Sequence, residues 1–124
     1  MIEPVADAEF SAGAREEPGR LLLTFTGGTE MDTRPLLERF LKDVHEEVCL
    51  RGVPEVTVDL RETSFINSAC LKVMAGWIVS ATTKTRVRYR IAFLSSRSHL
   101  WQRRSLAALA SIAPDLVSVT TEDP

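Results

Sequence analysis

The clearest chemistry in this sequence belongs to a serine that stands where a strand gives way to a helix. Ser68 lies in the segment FINSACLKVM, after an apolar, alternating run and a short polar hinge. The first turn of a helix has free backbone N–H groups and the positive end of the helix dipole, and these two features favour anions. We therefore predict that a phosphate on Ser68 is stabilised by the amides of Ala69, Cys70 and Leu71.

A purely structural role is the alternative for the same residues. Ser and Asn are both favoured helix caps, so Asn67 and Ser68 would begin a helix without further chemistry. Cys70 would lie in the first turn, where the helix dipole lowers the pKa of a thiol. A small buried hydrophobe is the interpretation favoured for Cys70, and even more so for Cys49.

Apolar side chains close to Ser68 indicate a docking surface. The helix predicted from Ser68 has an apolar stripe, and Val73 and Trp77 fall beside that stripe. Its members are Leu71, Met74, Ala75 and Ile78. Large apolar residues outside a stripe serve either as core edges or as partner contacts. We predict that a partner binds the loop and helix at residues 63 to 77. The expected contacts are Thr63, Ser64, Val73 and Trp77.

A basic, alternating segment follows this helix. In RVRYRIAFLS, one strand face is apolar and the other carries Arg86, Arg88 and Arg90. The apolar face comprises Val87, Tyr89, Ile91 and Phe93. The arginine row would bind a phosphate or an acidic partner, or would form a solvated, edge-protecting face.

The remaining periodicities predict an α/β domain in the order β-β-α-β-α-β-α-β. Residues 4 to 11 and RLLLTFTGG are predicted strands, and the polar stretch AGAREEPGR between them is a predicted turn region. A helix begins at Asp32 or Thr33, either of which can cap it, and ends at Arg51-Gly52. Its buried face comprises Leu36, Leu37, Phe40, Leu41, Val44 and Val48.

The second half continues the alternation of strands and helices. EVTVDL is a strand, Ser68 to about Thr83 is a helix, and DLVSVT is the last strand. The helix before it lies in SSRSHLWQRRSLAALASIAP, capped by Ser96 or Ser98 and ended before Pro114. Single strands separated by helices require right-handed crossovers, so we expect a mixed sheet of about five strands with helices mostly on one face.

Length and composition exclude several functional classes. The 124 residues predict a single domain, 1–124, and a net charge of -2 offers no footprint for nucleic acid or an anionic membrane. No run is long enough to span a membrane and the first residues lack signal-peptide features, so we expect a cytoplasmic protein. The two Cys and two His lack metal-ligand spacing, and no phosphate-binding glycine loop occurs. We expect no metal, no cofactor and no enzymatic activity.

The strand-loop-helix around Ser68 and the order of elements resemble the STAS domain of anti-sigma factor antagonists. The family's motif, an Asp at a strand end followed by Asp-Ser-(Ser/Thr/Ala)-Gly-Leu, is similar to Asp59 and N67-S-A-C-L71 here. Asn67 stands at the family's Asp and Cys70 at its Gly. Together with Trp101-Gln102 ahead of SLAALASIAP, this resembles a divergent, mostly bacterial branch that has Asn-Ser.

The resemblance implies a regulatory interaction domain that takes part in signal transduction and transcription regulation. Ser68 matches the serine that a partner kinase phosphorylates, so the implied partners are an anti-sigma-type serine kinase and a phosphatase. Phosphorylation would release or retune the partner. The alternative is a constitutive STAS-like adaptor subunit of a larger assembly, such as a transporter ATPase complex, in which Ser68 only caps its helix.

Overall fold

Six strands form one sheet and three helices connect them within residues 2–83 and 88–122, the part of the chain that the computed structural model describes. The strands are β1 (Val5–Ala6), β2 (Phe10–Glu17), β3 (Arg20–Gly28), β4 (Glu55–Phe65), β5 (Arg90–Ser95) and β6 (Val117–Thr121). The helices are α1 (Thr33–Arg51), α2 (Ser68–Thr83) and α3 (Trp101–Ala110).

The strands lie in the sheet in chain order. β1, β2 and β3 pair antiparallel, whereas β3 to β6 pair parallel. Each helix therefore crosses between neighbouring parallel strands in the same direction, and the right-handed crossover rule places all three helices on one face. Leu23, Phe25, Val58 and Phe93 are fully buried on that face, while Thr24 is exposed on the other. The predicted mixed sheet with helices on one face is confirmed.

The N-terminal strands differ from the prediction in two ways. The strand expected at residues 4 to 11 is divided because the Asp7 carboxylate accepts the amides of Glu9 and Phe10, at 3.0 and 2.9 Å, and turns the chain. The sheet thereby has a short sixth strand. The stretch AGAREE, expected as a turn, lies in β2 and pairs with β3 along its whole length. Only Pro18-Gly19 forms the turn, because the polar residues of β2 are stabilised by pairing with β3, which is invisible in local sequence.

The predicted bounds of α1 and α2 agree with the structure. Gly52 ends α1 in the left-handed region, with φ of +68°, and its amide donates to the carbonyl of Val48. The expected caps are wrong, since neither Asp32 nor Thr33 caps α1 with its side chain. Thr33 Oγ1 instead donates to the Asp7 carboxylate at 2.6 Å and accepts the amide of Glu30 at 2.9 Å, so it joins the helix to the β1–β2 turn.

The apolar face of α1 agrees with the prediction except at one residue, whereas that of α2 is shifted. In α1 the predicted face is buried except for Leu36, which is half-buried. In α2 the buried apolar residues are Cys70, Met74, Trp77, Ile78 and Ala81. Leu71 and Ala75, expected in the stripe, are half-buried, and Trp77, expected beside it, is in the core. The rotation arises because α2 packs between α1 and α3 rather than on the sheet alone.

The third helix begins later than predicted. α3 starts at Trp101 and has no side-chain cap, so the expected caps Ser96 and Ser98 are wrong. The Ser96 hydroxyl accepts the amide of Ser98 at 3.1 Å and forms a turn ahead of the helix. The arginine strand also begins later: β5 starts at Arg90, and Arg86 and Val87 lie outside the described residues.

Candidate functional site

The helix start at Ser68 has an asparagine cap. Asn67 Oδ1 accepts the backbone amide of Cys70 at 2.9 Å, and the Asn67 carbonyl accepts that of Leu71 at 2.9 Å. This is the arrangement of an N-cap residue whose side chain satisfies an orphan amide of the first turn. The interpretation that Ser68 caps its own helix is therefore wrong, because the residue before it does so.

The capping bonds change which amides a phosphate on Ser68 would meet. The amides of Cys70 and Leu71, expected to bind it, already donate to Asn67. In the described part of the chain, the amides of Ser68 and Ala69 have no hydrogen-bond partner. Ser68 itself is exposed, and its hydroxyl makes no hydrogen bond to a described residue. The hydroxyl is thus accessible at a helix end with two open amides.

Thr29, which the sequence pattern did not indicate, holds this turn in place. Thr29 Oγ1 accepts the amide of Asn67 at 2.7 Å, and the amide of Thr29 donates to the carbonyl of Phe65 at 3.0 Å. Thr29 follows the two glycines that end β3. The carboxyl ends of parallel strands meet at one sheet edge, and this is the signal that would have placed Thr29 beside Asn67.

Two of the expected partner contacts are buried. Thr63 is fully buried and its Oγ1 donates to the carbonyl of Phe25 at 2.8 Å, so its side chain cannot reach a partner. Trp77 is only 5% exposed, and its indole N–H donates to the hydroxyl of Tyr89 at 2.9 Å. Both side chains are turned inward because each satisfies its polar group there. Ser64 is exposed and Val73 half-buried, so their contacts with a partner stay predictions.

Large apolar side chains are exposed on the loops beside Ser68. We call residues 29–32, 65–67 and 96–100 the loop edge, because they follow the carboxyl ends of three parallel strands. Each part contributes one such side chain. These are Met31, 82% exposed, Phe65, 52% exposed, and Leu100, 89% exposed. Exposed apolar residues that cluster on one side of a domain mark an interaction surface.

Side chains of α3 and the loop ahead of it tie the third part of the loop edge to β4. His99 Nε2 lies 3.0 Å from the carbonyl of Arg61, and the indole N–H of Trp101 donates to the carbonyl of Thr63 at 3.2 Å. Gln102 Nε2 donates to the carbonyls of Leu60 and Thr63. The three loops are therefore held together by hydrogen bonds rather than being independent.

Ser68 also lies at a groove between α1 and α2. The groove has a volume of about 640 Å³ and combines apolar walls with charged rims. Its apolar lining includes Leu41, Val73 and the accessible margin of Trp77. Its charged lining comprises Arg34, Glu38, Lys42 and Lys72. Arg34 pairs with Glu38 at 3.2 Å, and the two lysines leave the groove with an excess of positive charge.

A buried hydrogen-bond chain underlies this groove. Tyr89 accepts from Trp77, and its oxygen lies 2.8 Å from His45 Nδ1. Because an indole only donates, the Tyr89 proton is available to His45 Nδ1, which then accepts. Burial lowers the pKa of His45, against an opposing effect of the carboxylate of Glu46. Cys49 Sγ lies 3.7 Å from the other ring nitrogen.

This chain predicts a pH-dependent stability. The unfolded chain takes up a proton on His45 near the ordinary pKa of 6.5, and the folded chain only at lower pH. The free energy of unfolding should therefore be highest above the ordinary pKa of 6.5 and decrease as the pH falls below it, until His45 is protonated in the folded chain as well. His45→Gln keeps an acceptor for Tyr89 and should flatten this slope in urea titrations. An unchanged slope in the variant would contradict the assignment.

The two cysteines are packed into the fold, whereas Arg88 and Arg90 are exposed. Cys70 is buried, and burial raises the pKa of its thiol, which disfavours the reactive thiolate. Cys49 is half-buried against the core. Arg88 and Arg90 are exposed, and Arg90 lies 3.8 Å from the carboxylate of Glu55. Their contact with a partner stays a prediction.

No group of three or more His, Cys, Asp or Glu side chains in the described part of the chain could hold a metal ion. None of the helices there is long and apolar enough to cross a membrane.

The sequence matches no protein-family model and no curated protein. The fold does match a solved structure, an anti-sigma factor antagonist from Mycobacterium paratuberculosis. The two chains are 18% identical and superpose with a TM-score of 0.64, over 91% of this chain and 88% of the other. A likeness at this identity establishes the fold, and the STAS-like architecture predicted from the sequence is confirmed.

Proposed function

We propose that this chain is a non-enzymatic regulatory domain that binds a protein partner through the loop edge and the first turns of α2. Phosphorylation of Ser68 controls the binding. The observation that carries the proposal is the position of an exposed, unbonded Ser68 hydroxyl beside three loops that each expose a large apolar side chain. The fold shared with a solved anti-sigma factor antagonist supports the same function.

The apolar residues of the loop edge supply the affinity in this proposal. Met31, Phe65 and Leu100 expose most of their side chains to water in the free domain. Removing apolar surface from water contributes about 25 cal/mol per Å², and a few such anchors dominate most interfaces. Hydrogen bonds between the loops hold Phe65 in place through Thr29, so the surface is largely preformed before the partner binds.

Phosphorylation would change the charge of this surface while leaving the fold in place. A dianion on Ser68 meets the two open amides of Ser68 and Ala69 and the positive end of the α2 dipole. Lys72 lines the groove that begins at Ser68 and adds favourable charge. An apolar partner surface would instead have to desolvate the phosphate, so the modified domain keeps its fold and loses its partner.

The class of partner follows from the resemblance to the anti-sigma factor antagonists. It would be a serine kinase of the anti-sigma type, which binds the unmodified domain and phosphorylates Ser68, with a phosphatase restoring the hydroxyl. A constitutive adaptor subunit of a larger assembly is the competing function. The asparagine cap weakens that competitor, because Ser68 is not needed to begin α2.

The test combines phosphate mapping with binding. The protein is isolated from its native cells and Ser68 is examined by mass spectrometry, with and without a serine kinase encoded beside it. Binding of that kinase is then measured for the wild type, Ser68→Ala and Ser68→Asp, with Ser118→Asp as an exposed control on β6. We expect Ser68→Asp to weaken binding at least tenfold, about 1.4 kcal/mol, and Ser118→Asp to have no effect.

Phe65→Ser separates docking from switching. Because Phe65 is exposed, Phe65→Ser should lower the affinity for the kinase while leaving the phosphate acceptor, Ser68, in place. If Ser68 is never modified and Ser68→Ala and Ser68→Asp bind alike, the switch is refuted. A loss of binding with Phe65→Ser alone would then identify the constitutive adaptor.

A further inference from the structure

Charge is strongly segregated along this chain. The seventeen acidic and fifteen basic residues nearly cancel, yet no Asp or Glu occurs from Thr63 to Pro114. The same segment contains eight of the basic residues. They are Lys72, Lys84, Arg86, Arg88, Arg90, Arg97, Arg103 and Arg104. Although the net charge of the chain is small, every charged side chain from Thr63 to Pro114 is therefore basic.

This acid-free segment builds α2, β5 and α3, so the two helices share a positive surface. The charged residue of α2 is Lys72, and those of α3 are Arg103 and Arg104. All three side chains are exposed, and no ion pair joins them to an acidic side chain in the described ranges. Their charge is thus available to a partner.

A groove runs between these helices, on the side of α2 away from α1. It has a volume of about 430 Å³ and an almost wholly apolar lining, with Lys72 and Arg104 as its charged residues. The uncharged lining comprises Leu71, Ala75, Ser105, Ala108, Leu109 and Ile112. Ile112 is 41% exposed, and Ala108 is exposed as well. Of the residues that line this groove, Lys72 alone also lines the one between α1 and α2.

We propose that the α2–α3 groove docks an acidic amphipathic helix of a protein partner. The apolar side chains of that helix enter between Leu71 and Ile112, and its carboxylates pair with Lys72 and Arg104. A helix laid in a groove is a common form of peptide recognition, and the small Ala75 and Ala108 allow its backbone to approach closely. This second contact surface does not include Ser68, so it stands independently of the phosphorylation switch.

The charge of the surface favours an acidic helix over a lipid bilayer. The groove is shallow and open, so its basic residues rather than its shape distinguish the two occupants. Each basic residue near an anionic membrane contributes about 1 kcal/mol, so Lys72, Arg103 and Arg104 alone give weak attachment. An acidic helix satisfies both the apolar lining and the unpaired charges.

The test uses the full chain and a synthetic probe. The probe is a peptide of about 16 residues, roughly four helical turns, with Leu at i, i+3, i+4 and i+7 and Glu beside them. A second peptide has Lys at every Glu. Binding is followed by ¹H–¹⁵N NMR spectra and by fluorescence anisotropy at increasing salt. We expect the acidic peptide to shift the amide signals of Ala75, Ala108 and Ile112, with an affinity that falls as salt rises.

Matched charge reversals identify the site. Arg104→Glu replaces attraction by repulsion inside the groove and should weaken the acidic peptide about tenfold. Arg39→Glu makes the same change of net charge on an exposed arginine of α1 and should alter affinity less than about twofold. Ile112→Ser should also weaken binding, because part of the affinity comes from apolar contact.

Four results would overturn the proposal. The first is a wild-type spectrum that the acidic peptide leaves unchanged. The second is equal binding of the acidic and lysine peptides. The third is an equal loss of affinity with Arg104→Glu and Arg39→Glu. The fourth is Arg104-dependent sedimentation with phosphatidylserine vesicles in the absence of peptide binding, which would assign the surface to a membrane.

Discussion

Gln102→Leu is expected to lower the free energy of unfolding by about 3 kcal/mol, although leucine is nearly isosteric and more hydrophobic. Gln102 is buried, its Oε1 accepts the amide of Ser96 at 2.9 Å, and its Nε2 donates to the carbonyls of Leu60 and Thr63 at 2.7 and 3.2 Å. Leucine removes all three bonds. Each buried polar group that loses its partner costs about 1–3 kcal/mol.

The same substitution should disturb the candidate site. Gln102 joins the start of the β5–α3 loop to β4, so its loss weakens the attachment of the loop that exposes Leu100, which keeps the bonds of His99 and Trp101 to β4. Urea denaturation gives the stability, and partner affinity under native conditions gives the second effect. Arg103→Leu, an exposed neighbour, is the control and should stay within about 0.5 kcal/mol. A Gln102→Leu protein as stable as the control would show that these bonds are dispensable.

Gly27→Ala is the second substitution with a large expected effect, a loss of about 3 kcal/mol or more in the free energy of unfolding. Gly27 has a φ of +91°, and a Cβ there would lie 1.9 Å from the carbonyl oxygen of Glu9. The β2–β3 pairing fixes that carbonyl, which accepts the amide of Gly28 at 3.0 Å. The clash is therefore with backbone and cannot be relieved by a side-chain rotation.

Gly19→Ala is the matched control for this prediction. Gly19 has a similar φ of +77°, but a Cβ there meets nothing within 4 Å. Gly19→Ala should lower the free energy of unfolding by only about 1 kcal/mol, the strain of an L-residue in the left-handed region. Thermal unfolding and hydrogen exchange measure both variants. In Gly27→Ala the amide of Asn67 should also exchange faster, because Thr29, whose hydroxyl accepts that amide, directly follows the end of β3. Equal losses in the two variants would refute the clash.

Local pattern was sufficient for the elements that position the site. α1 and α2 begin and end as predicted, because apolar periodicity, the Arg51-Gly52 end and the strand EVTVDL ahead of Ser68 are encoded within a few residues. The alternation of single strands and helices then restricts the topology to right-handed crossovers in a partly parallel sheet, whereas the order of the strands in that sheet is known only from the structure. The order of elements from β3 onward and the position of Ser68 at a helix start were therefore predictable.

Non-local contacts decided the details that the sequence analysis missed. β2 is a strand because its polar residues pair with β3, and no local signal separates such a polar strand from a turn. Trp77 lies in the core because the hydroxyl of Tyr89, twelve residues away, accepts a hydrogen bond from its indole N–H. Thr63 is buried because the carbonyl of Phe25 on the neighbouring strand accepts its hydroxyl.

The sequence by itself determined that a serine stands at the start of a helix that follows a parallel strand. Only the tertiary structure decided that Asn67 caps that helix and leaves the Ser68 hydroxyl free, because the cap depends on which neighbouring side chain reaches the orphan amides. It also decided which loops surround Ser68. Met31, Phe65 and Leu100 are distant in sequence and share one edge because parallel strands end on the same side of a sheet.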